Sequence, residues 1–209
     1  MDLFLPLLVN GVCVGLLYGI SAMGFVMIFK ASSVLNFAHG ELLALGAFFF
    51  LSLVTWGKLP VAAAFVLTLA GCFLLGFIIE KFFLRPLIGE KLIFVIMLTV
   101  GLAAMFKGLI LLIWGGNLHT YPDFLPECLE LQLGDVYIAP VYSATMIITV
   151  IFLLLFGLFF KKSSQGIFMR SVADNQQAAL SLGVHVRRVF ALSWAIAAMV
   201  ACMSGIVLG

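Results

Sequence analysis

Long uninterrupted apolar runs constrain this chain more than any other feature. Several of them approach the roughly 20 residues that a helix needs to cross the hydrocarbon core of a bilayer. The chain is 65% hydrophobic and 10% charged, whereas a soluble domain carries about 25% charged residues. A chain of this composition cannot cover a folded core with polar surface, so it is predicted to be a polytopic membrane protein. Because the runs are continuous and do not alternate, helices are favoured over a β-barrel.

The apolar runs predict an all-α, polytopic transmembrane helix bundle with about six spans, forming a single domain over residues 1–209. The runs are Leu3–Phe29, a segment from within Asn36–Glu41 to near Trp56, Leu59 to about Ile79, Leu92–Trp114, Val141–Phe160 and Val189–Gly209. The second run is short, so a re-entrant or broken segment remains an alternative to a full span at that place.

The distribution of Lys and Arg predicts the orientation, because positive residues favour the cytoplasmic side. Threading six spans with the N-terminus outside places nine basic residues on one side: Lys30, Lys81, Arg85, Lys91, Lys161, Lys162, Arg170, Arg187 and Arg188. Lys58 alone lies on the other side, and Lys107 lies within a span. The segment 115–139 contains four acidic residues and no Lys or Arg, which agrees with an outer position. The N-terminus is therefore predicted to lie outside.

The polar stretch from Ser33 to Glu41 interrupts this apolar pattern with an amide, an imidazole and a carboxylate. Ionisable groups at membrane depth are expensive and usually face a protein interior or a water-filled path. The simpler interpretation is the end of one span, a turn and the start of the next. On a regular helix, Asn36 and His39 would share one face, whereas Glu41 would point largely away from His39.

The predicted outer loop, residues 115–139, contains the pattern of a β-hairpin. Apolar and polar residues alternate over Leu129–Leu133, a Gly-Asp pair follows, and Val136–Ile138 form a second arm.

The four cysteines, Cys13, Cys72, Cys128 and Cys202, lack paired metal spacing and are interpreted as small apolar residues. No metal site is predicted.

The predicted inner loop, residues 161–188, contains the pattern of a short helix. Ser171 and Asp174 resemble a capping box, and Gly183 would supply a left-handed C-terminal cap. We therefore expect a helix of about three turns from near Val172 to Leu182, with a narrow face of small residues formed by Ala178, Ala179 and Leu182. Such a helix is marginal alone in water. It is either a connector that lies on its own bundle or a docking helix for a cytoplasmic partner.

These segments, taken in order, resemble the permease subunits of branched-chain amino-acid ABC transporters of the Liv type. The strongest match is Val34–Glu41 with Gly46-Ala47 after it. The other matching pieces are Leu16–Phe25, Glu80-Lys81, Arg85-Pro86-Leu87 with Gly89, Thr99–Leu102, and the set Gly166, Arg170, Asp174, Ala178-Ala179, Leu182-Gly183-Val184 and Arg187. Members of this family continue beyond Gly209 with further spans, so the chain looks C-terminally short beside them.

The resemblance implies the membrane part of an ATP-driven importer in a bacterial or archaeal inner membrane. The expected partners are a second permease, alike or related, two cytoplasmic ATPases, an extracytoplasmic substrate-binding protein and membrane lipid, with no nucleic acid. The chain has no phosphate loop of the GxxxxGK[ST] type, so any ATP would be bound by the partner ATPase and the chain itself would not be an enzyme. The substrate would be a branched-chain or related amino acid, and relatives also carry amides or urea.

Site roles follow from the same resemblance. Asn36, His39 and Glu41 would line the translocation pathway or support it. A second set would couple the chain to the ATPase: Gly166, Arg170, Asp174, Ala178, Ala179 and Gly183. Arg170 and Asp174 would anchor the loop or the ATPase surface, and the small residues would permit close approach.

Two other interpretations remain open. Lys107 departs from the family pattern, and it either snorkels outward or pairs with an acidic group inside the bundle. The alternative functions are an ATPase-independent secondary transporter or channel for small polar solutes, and a membrane enzyme. The enzyme class is disfavoured because the sequence has neither an HExxH motif nor a nucleophile elbow, and zinc sites need more ligands.

Overall fold

The computed structural model describes residues 4–32, 35–87, 90–117, 119–121, 131–133, 136–138 and 140–208. Eight α-helices follow one another along these ranges: α1 Phe4–Ser32, α2 His39–Thr55, α3 Val61–Ile79, α4 Leu92–Trp114, α5 Pro140–Lys162, α6 Ser164–Asp174, α7 Gln176–Ser181 and α8 Val186–Leu208. This arrangement confirms the predicted helix-bundle class.

Six of the helices are apolar and correspond in position to the six predicted spans. Four segments are long and apolar enough to cross a membrane, namely Val14–Ser32, Val61–Leu87, Leu92–Trp114 and Val186–Leu208. A fifth is obtained if Met146–Lys162 and Ser164–Asp174, which are bent by 75° at Ser163, form one broken span. Helix α2 has only 17 residues, in keeping with the short second run in the sequence. The number of six spans stays a prediction.

Helix α8 lies at the centre of the bundle, packed against α1, α2 and α3. Glycines let α8 approach two of these neighbours closely. A Cβ atom added at Gly46 of α2 would lie 2.6 Å from the Cα atom of Cys202, and one at Gly76 of α3 would lie 2.5 Å from Trp194 O. A Cβ atom added at Gly205 of α8 would likewise clash with the backbone oxygen of Leu43. Small residues at such positions are what membrane helices use to pack.

Helices α4 and α5 occupy the periphery of the bundle. Helix α4 packs against α2, and α5 packs against α1 and α6. Both present exposed apolar side chains outward, for example Leu112, Leu154 and Leu155. Between α4 and α5, strands β1 (Leu131–Leu133) and β2 (Val136–Ile138) pair antiparallel, with Gln132 opposite Tyr137. The predicted Gly-Asp turn between them lies outside the described residues.

The two ends of the bundle differ in chemistry. The end of α1, the start of α4 and the end of α5 carry Lys30, Lys91 and Lys162, and we call this the basic end. At the opposite, aromatic end, Trp114 Nε1 donates a hydrogen bond to Ser52 Oγ at 2.7 Å, and the Trp56 ring stacks on Trp114. Interfacial belts of membrane proteins are enriched in such Trp residues.

Tyr121 also lies at the aromatic end, where its hydroxyl donates to Ala47 O at 3.2 Å and its ring meets Phe50 edge-on. Burial raises the pKa of Tyr121, so the phenol stays a neutral hydrogen-bond donor.

Lys107 is exposed on the outer face of α4, and no ion pair involves it in the part of the chain that the structure describes.

Candidate functional site

The first candidate site is the turn that leads into α2. Asn36 is buried, with 1% of its surface exposed, and its Oδ1 accepts a hydrogen bond from the Ala38 N–H at 3.0 Å. The His39 N–H donates to the Asn36 backbone oxygen at 3.2 Å. Helix α2 begins at His39, so Asn36 precedes it and holds its first turn. The prediction that Asn36 and His39 share one helical face is wrong, because Asn36 is not in the helix.

His39 fixes α2 against α1. Its Nε2 lies 3.0 Å from Ser21 O, and a carbonyl oxygen only accepts, so Nε2 carries the proton. The ring meets Phe25 edge-on at 5.9 Å. Gly24 leaves room for the ring, since a Cβ atom there would lie 2.9 Å from His39 Cε1. His39 therefore occupies a packed position between two helices.

This turn lies well inside the length of the neighbouring spans. Ser21 precedes Ser32, the end of α1, by eleven residues, which is about 16 Å along a helix. Thr99 Oγ1 lies 3.5 Å from Leu35 O, and Thr99 follows the start of α4 by seven residues, about 10 Å. The non-helical residues Leu35–Ala38 thus enter the bundle from the basic end. This geometry matches the broken segment that the sequence left open.

Buried and exposed side chains alternate through the turn. Asn36, Ala38 and His39 face the bundle, whereas Leu35 and Phe37 are exposed. Non-helical backbone at membrane depth is tolerated only where protein buries it or where it lines a water-filled cavity. The turn therefore has one face built into the bundle and one face open.

The next two residues continue the open face. Gly40 is exposed and Glu41 is half-buried, and a Cβ atom at Gly40 would meet nothing within 4 Å. Glu41 has no ion pair among the residues that the structure describes. On a regular helix, residues two apart do not share a face, so Glu41 is expected to point largely away from His39.

A half-buried ion pair that the sequence analysis missed lies at the end of α3. Helix α3 ends in a π-helical turn, Glu80–Leu84, in which residues five apart come together. Arg85 Nη2 lies 2.9 Å from Glu80 Oε2, and Glu80 is 1% exposed. The sequence analysis used Arg85-Pro86 only as part of the family resemblance. An acidic residue at the end of a long apolar run was the signal that could have revealed the pair.

The second candidate site is the loop at the basic end, where α6 and α7 replace the single predicted helix. Ser171 lies inside α6 and donates from Oγ to Ile167 O, so the predicted capping box is wrong. Asn175 caps α7 instead, with its Oδ1 accepting from the Ala178 N–H at 3.0 Å. The predicted cap at Gly183 is confirmed by its φ of +83° and by the Val184 N–H to Ala179 O bond.

The proposed coupling residues divide into an inner and an outer group. Ala179 is 1% exposed and belongs to the apolar cluster formed with α1, α6 and α8. Gly166 is also buried, because a Cβ atom there would lie 2.7 Å from Phe160 O. These two residues let the loop pack on its own bundle. The three residues predicted to form one narrow face are therefore divided, because Ala179 is buried whereas Ala178 and Leu182 are exposed.

The outer group consists of Arg170, Asp174, Ala178 and Gly183, all exposed. Leu182 beside them is 83% exposed, which is unusual for a leucine outside an apolar run. A cavity of about 210 Å³ opens next to it, and its lining includes the apolar Phe168 and Val184 as well as His185 and Arg188. The loop thus presents an apolar patch with a basic rim.

Comparison with known proteins agrees with this architecture. Residues 7–209 match the family model described as the permease component of the branched-chain amino acid transport system. The permease protein BraD of Pseudomonas aeruginosa is 27% identical over 99% of this chain and 71% of its own length. LivH of Escherichia coli K12 is 26% identical over 99% of this chain and 70% of its length. Both are named high-affinity branched-chain amino acid transport system permease proteins.

No solved structure matches the chain. The family match covers almost all of the described residues, including both candidate sites. The chain is a multi-pass membrane protein of the branched-chain amino acid transport permease family.

Proposed function

We propose that this chain is a permease subunit of an ATP-driven importer that moves branched-chain or related amino acids across a bacterial or archaeal inner membrane. The names of the relatives BraD and LivH support the substrate class. The observation that carries the proposal is the exposed loop at the basic end. There, α7 holds Leu182 and Ala178 outward, while Ala179 anchors the same helix to the bundle.

The proposed partners follow from what the chain lacks and what it exposes. Its sequence has no phosphate loop, so ATP would be bound by two cytoplasmic ATPase subunits. One of them would dock on α7 of this chain, beside Arg170 and Asp174 of α6. A second permease would complete the pathway, and an extracytoplasmic binding protein would deliver substrate at the aromatic end. The predicted orientation, with the N-terminus outside, places the basic end in the cytoplasm.

Energy would reach the pathway through α8. The loop leads through Gly183 directly into α8, and α8 packs against α2, whose first turn is the candidate pathway site. Closure of the ATPases would therefore move α7 and α8 together and switch the bundle between two states. The roles of Asn36, His39 and Glu41 in supporting or lining the pathway belong to this same proposal.

The test is a pull-down of the tagged chain from its native host in mild detergent, with partners identified by mass spectrometry. Ala178→Arg places a long cation on the exposed face of α7 and should remove the ATPase from the purified complex. The matched control Ala178→Ser keeps a small side chain at the same position and should retain it. Recovery of an ATPase with both variants would contradict docking at α7.

The alternative function is an ATPase-independent secondary transporter or channel. It would be favoured if the wild-type chain, at native expression, supports leucine uptake and yet co-purifies with no ATPase.

A further inference from the structure

The cavity at the basic end is formed where three parts of the loop meet. Gln165 and Phe168 of α6 contribute to its lining, Leu182 comes from the link between α7 and α8, and Arg188 and Val189 come from the start of α8. Its volume is about 210 Å³, whereas sites for small molecules usually have about 300–1,000 Å³. The cavity therefore has room for one side chain and is small for a free metabolite.

The polar part of the lining favours a negative charge. Arg188 is exposed, and no ion pair involves it among the residues that the structure describes. His185 and Gln165 add hydrogen-bond donors to the lining. Helix α8 begins at Val186, and the N-terminus of a helix carries a partial positive charge. The cavity is therefore suited to an anionic group.

The loop itself does not supply that anionic group. Residues 161–188 contain five Lys and Arg residues and a single acidic residue, Asp174. Asp174 ends α6, nine residues after Gln165, which is about 14 Å along a helix. It does not belong to the lining of the cavity. An acidic partner for Arg188 would therefore come from another molecule.

The apolar part of the lining favours a protein side chain over a free ion. Phe168, Val184 and Val189 line the same cavity as Arg188, and a phosphate ion has no apolar part that could pack on them. Leu182, which is 83% exposed, also lines the cavity and directly follows α7. A partner that covers the exposed face of α7 would therefore cover the cavity as well.

We propose that this cavity receives an acidic side chain of the docked ATPase. The guanidinium of Arg188 pairs with its carboxylate, since the planar fork of an arginine can bind both carboxylate oxygens, and the stem of the acidic side chain packs on Phe168 and Val184. Because Arg188 is the third residue of α8, this contact attaches the ATPase directly to the central helix. The inference rests on the proposed function and adds to it a chemically defined contact.

Zero-length cross-linking tests this contact in membranes from cells that express the complete transporter. Arg188→Lys keeps a cation at the cavity and supplies a primary amine. A water-soluble carbodiimide joins such an amine to a touching carboxylate as an amide, and the reagent takes up the water that is lost and becomes a urea. We expect mass spectrometry to find an amide between position 188 and an Asp or Glu of the ATPase.

The matched control for cross-linking is Arg187→Lys. Arg187 is also exposed and directly precedes Arg188, but it does not belong to the lining of the cavity. The amide between position 187 and the ATPase should be severalfold less abundant than the amide at position 188. An ATPase that co-purifies with the Arg188→Lys variant and never cross-links to position 188 would overturn the contact and leave docking at α7 standing.

Removal of the charge provides the second measurement. Arg188→Gln should lower the ratio of ATPase to permease in the pull-down severalfold, whereas Arg187→Gln should leave it unchanged. Both variants should elute from a size-exclusion column like wild type, which excludes misfolding as the cause. Equal ratios for the two variants would overturn the contact, and loss of bound anionic phospholipid from Arg188→Gln at an unchanged ratio would assign the cavity to a lipid headgroup. Absence of an ATPase from the wild-type complex would instead refute the proposed function.

Discussion

The contact between Gly46 of α2 and Cys202 of α8 makes a quantitative prediction. A Cβ atom at Gly46 would lie 2.6 Å from Cys202 Cα and 2.7 Å from its Sγ, whereas carbon atoms in contact prefer about 3.5–4.0 Å. The two helices would have to separate by about 1 Å, and one of the atoms in the way belongs to the backbone of the buried helix α8. Overpacking of this kind costs about 1–3 kcal/mol.

Gly46→Ala also gains helix propensity, which is worth up to about 1 kcal/mol. A second glycine isolates the packing contribution, because Gly108 of α4 has nothing within 4 Å of the added Cβ. Gly108→Ala gains the same propensity without the clash. The difference in the free energy of unfolding between the two variants should therefore be about 1–3 kcal/mol. For a chain of this length that corresponds to a Tm about 2–12 °C lower for Gly46→Ala.

The assay is thermal unfolding of the purified chain in mild detergent, with both variants and wild type measured side by side. The yield of folded protein after purification provides a second readout, and it should rank the variants in the same order as the Tm. If Gly46→Ala unfolds at the same temperature as Gly108→Ala, or above it, the α2–α8 contact is not as close as described and the reasoning fails.

Three further predictions concern local structure. Asn175→Ala should cost about 0.5–2 kcal/mol by removing the cap of α7 and speed amide exchange there, whereas Ser171→Ala should leave exchange in α7 unchanged. Gly183→Ala should cost about 1–2 kcal/mol, because a positive φ is unfavourable for a residue with a Cβ atom; it should weaken ATPase recovery in the pull-down. Arg85→Ala should lower the Tm more than Glu80→Gln does, because it leaves an unpaired buried carboxylate, and equal melting of the two variants would contradict this.

The sequence predicted the helix-bundle class and the positions of the apolar helices, because continuous apolar runs report directly on the length of a membrane span. It also predicted the cap at Gly183 and left a broken segment near Asn36 open as an alternative, since both depend on the local chemistry of a few neighbouring residues. Local chemistry was misleading at Ser171, where a capping-box spacing occurs inside a helix. Asn175 caps the next helix, and nothing in the spacing alone separates these two possibilities.

The tertiary arrangement could not be predicted from the sequence, for a physical reason. Helices that are apolar all round give no periodic signal for which face is inside, so the central place of α8 could not be seen. The same limit explains Ala178 and Ala179, which are adjacent and equally small, although one is exposed and the other is buried. Glu80 was overlooked because its partner Arg85 is five residues away, a spacing that meets only in a π-helical turn.

The central position of α8 explains how the loop at the basic end and the turn before α2 can belong to one mechanism. The turn before α2 and the π-helical end of α3 contribute Ala38 and Leu84 to one apolar cluster, and α8 contributes Trp194 to the same cluster. Helix α8 begins a few residues after the exposed Leu182, so the loop and this cluster share one rigid element. Packed interiors change between discrete arrangements and do not deform gradually. A displacement of α7 by a docked partner would therefore either leave the first turn of α2 unchanged or move it as a unit, which is the behaviour that alternating access to a binding site requires.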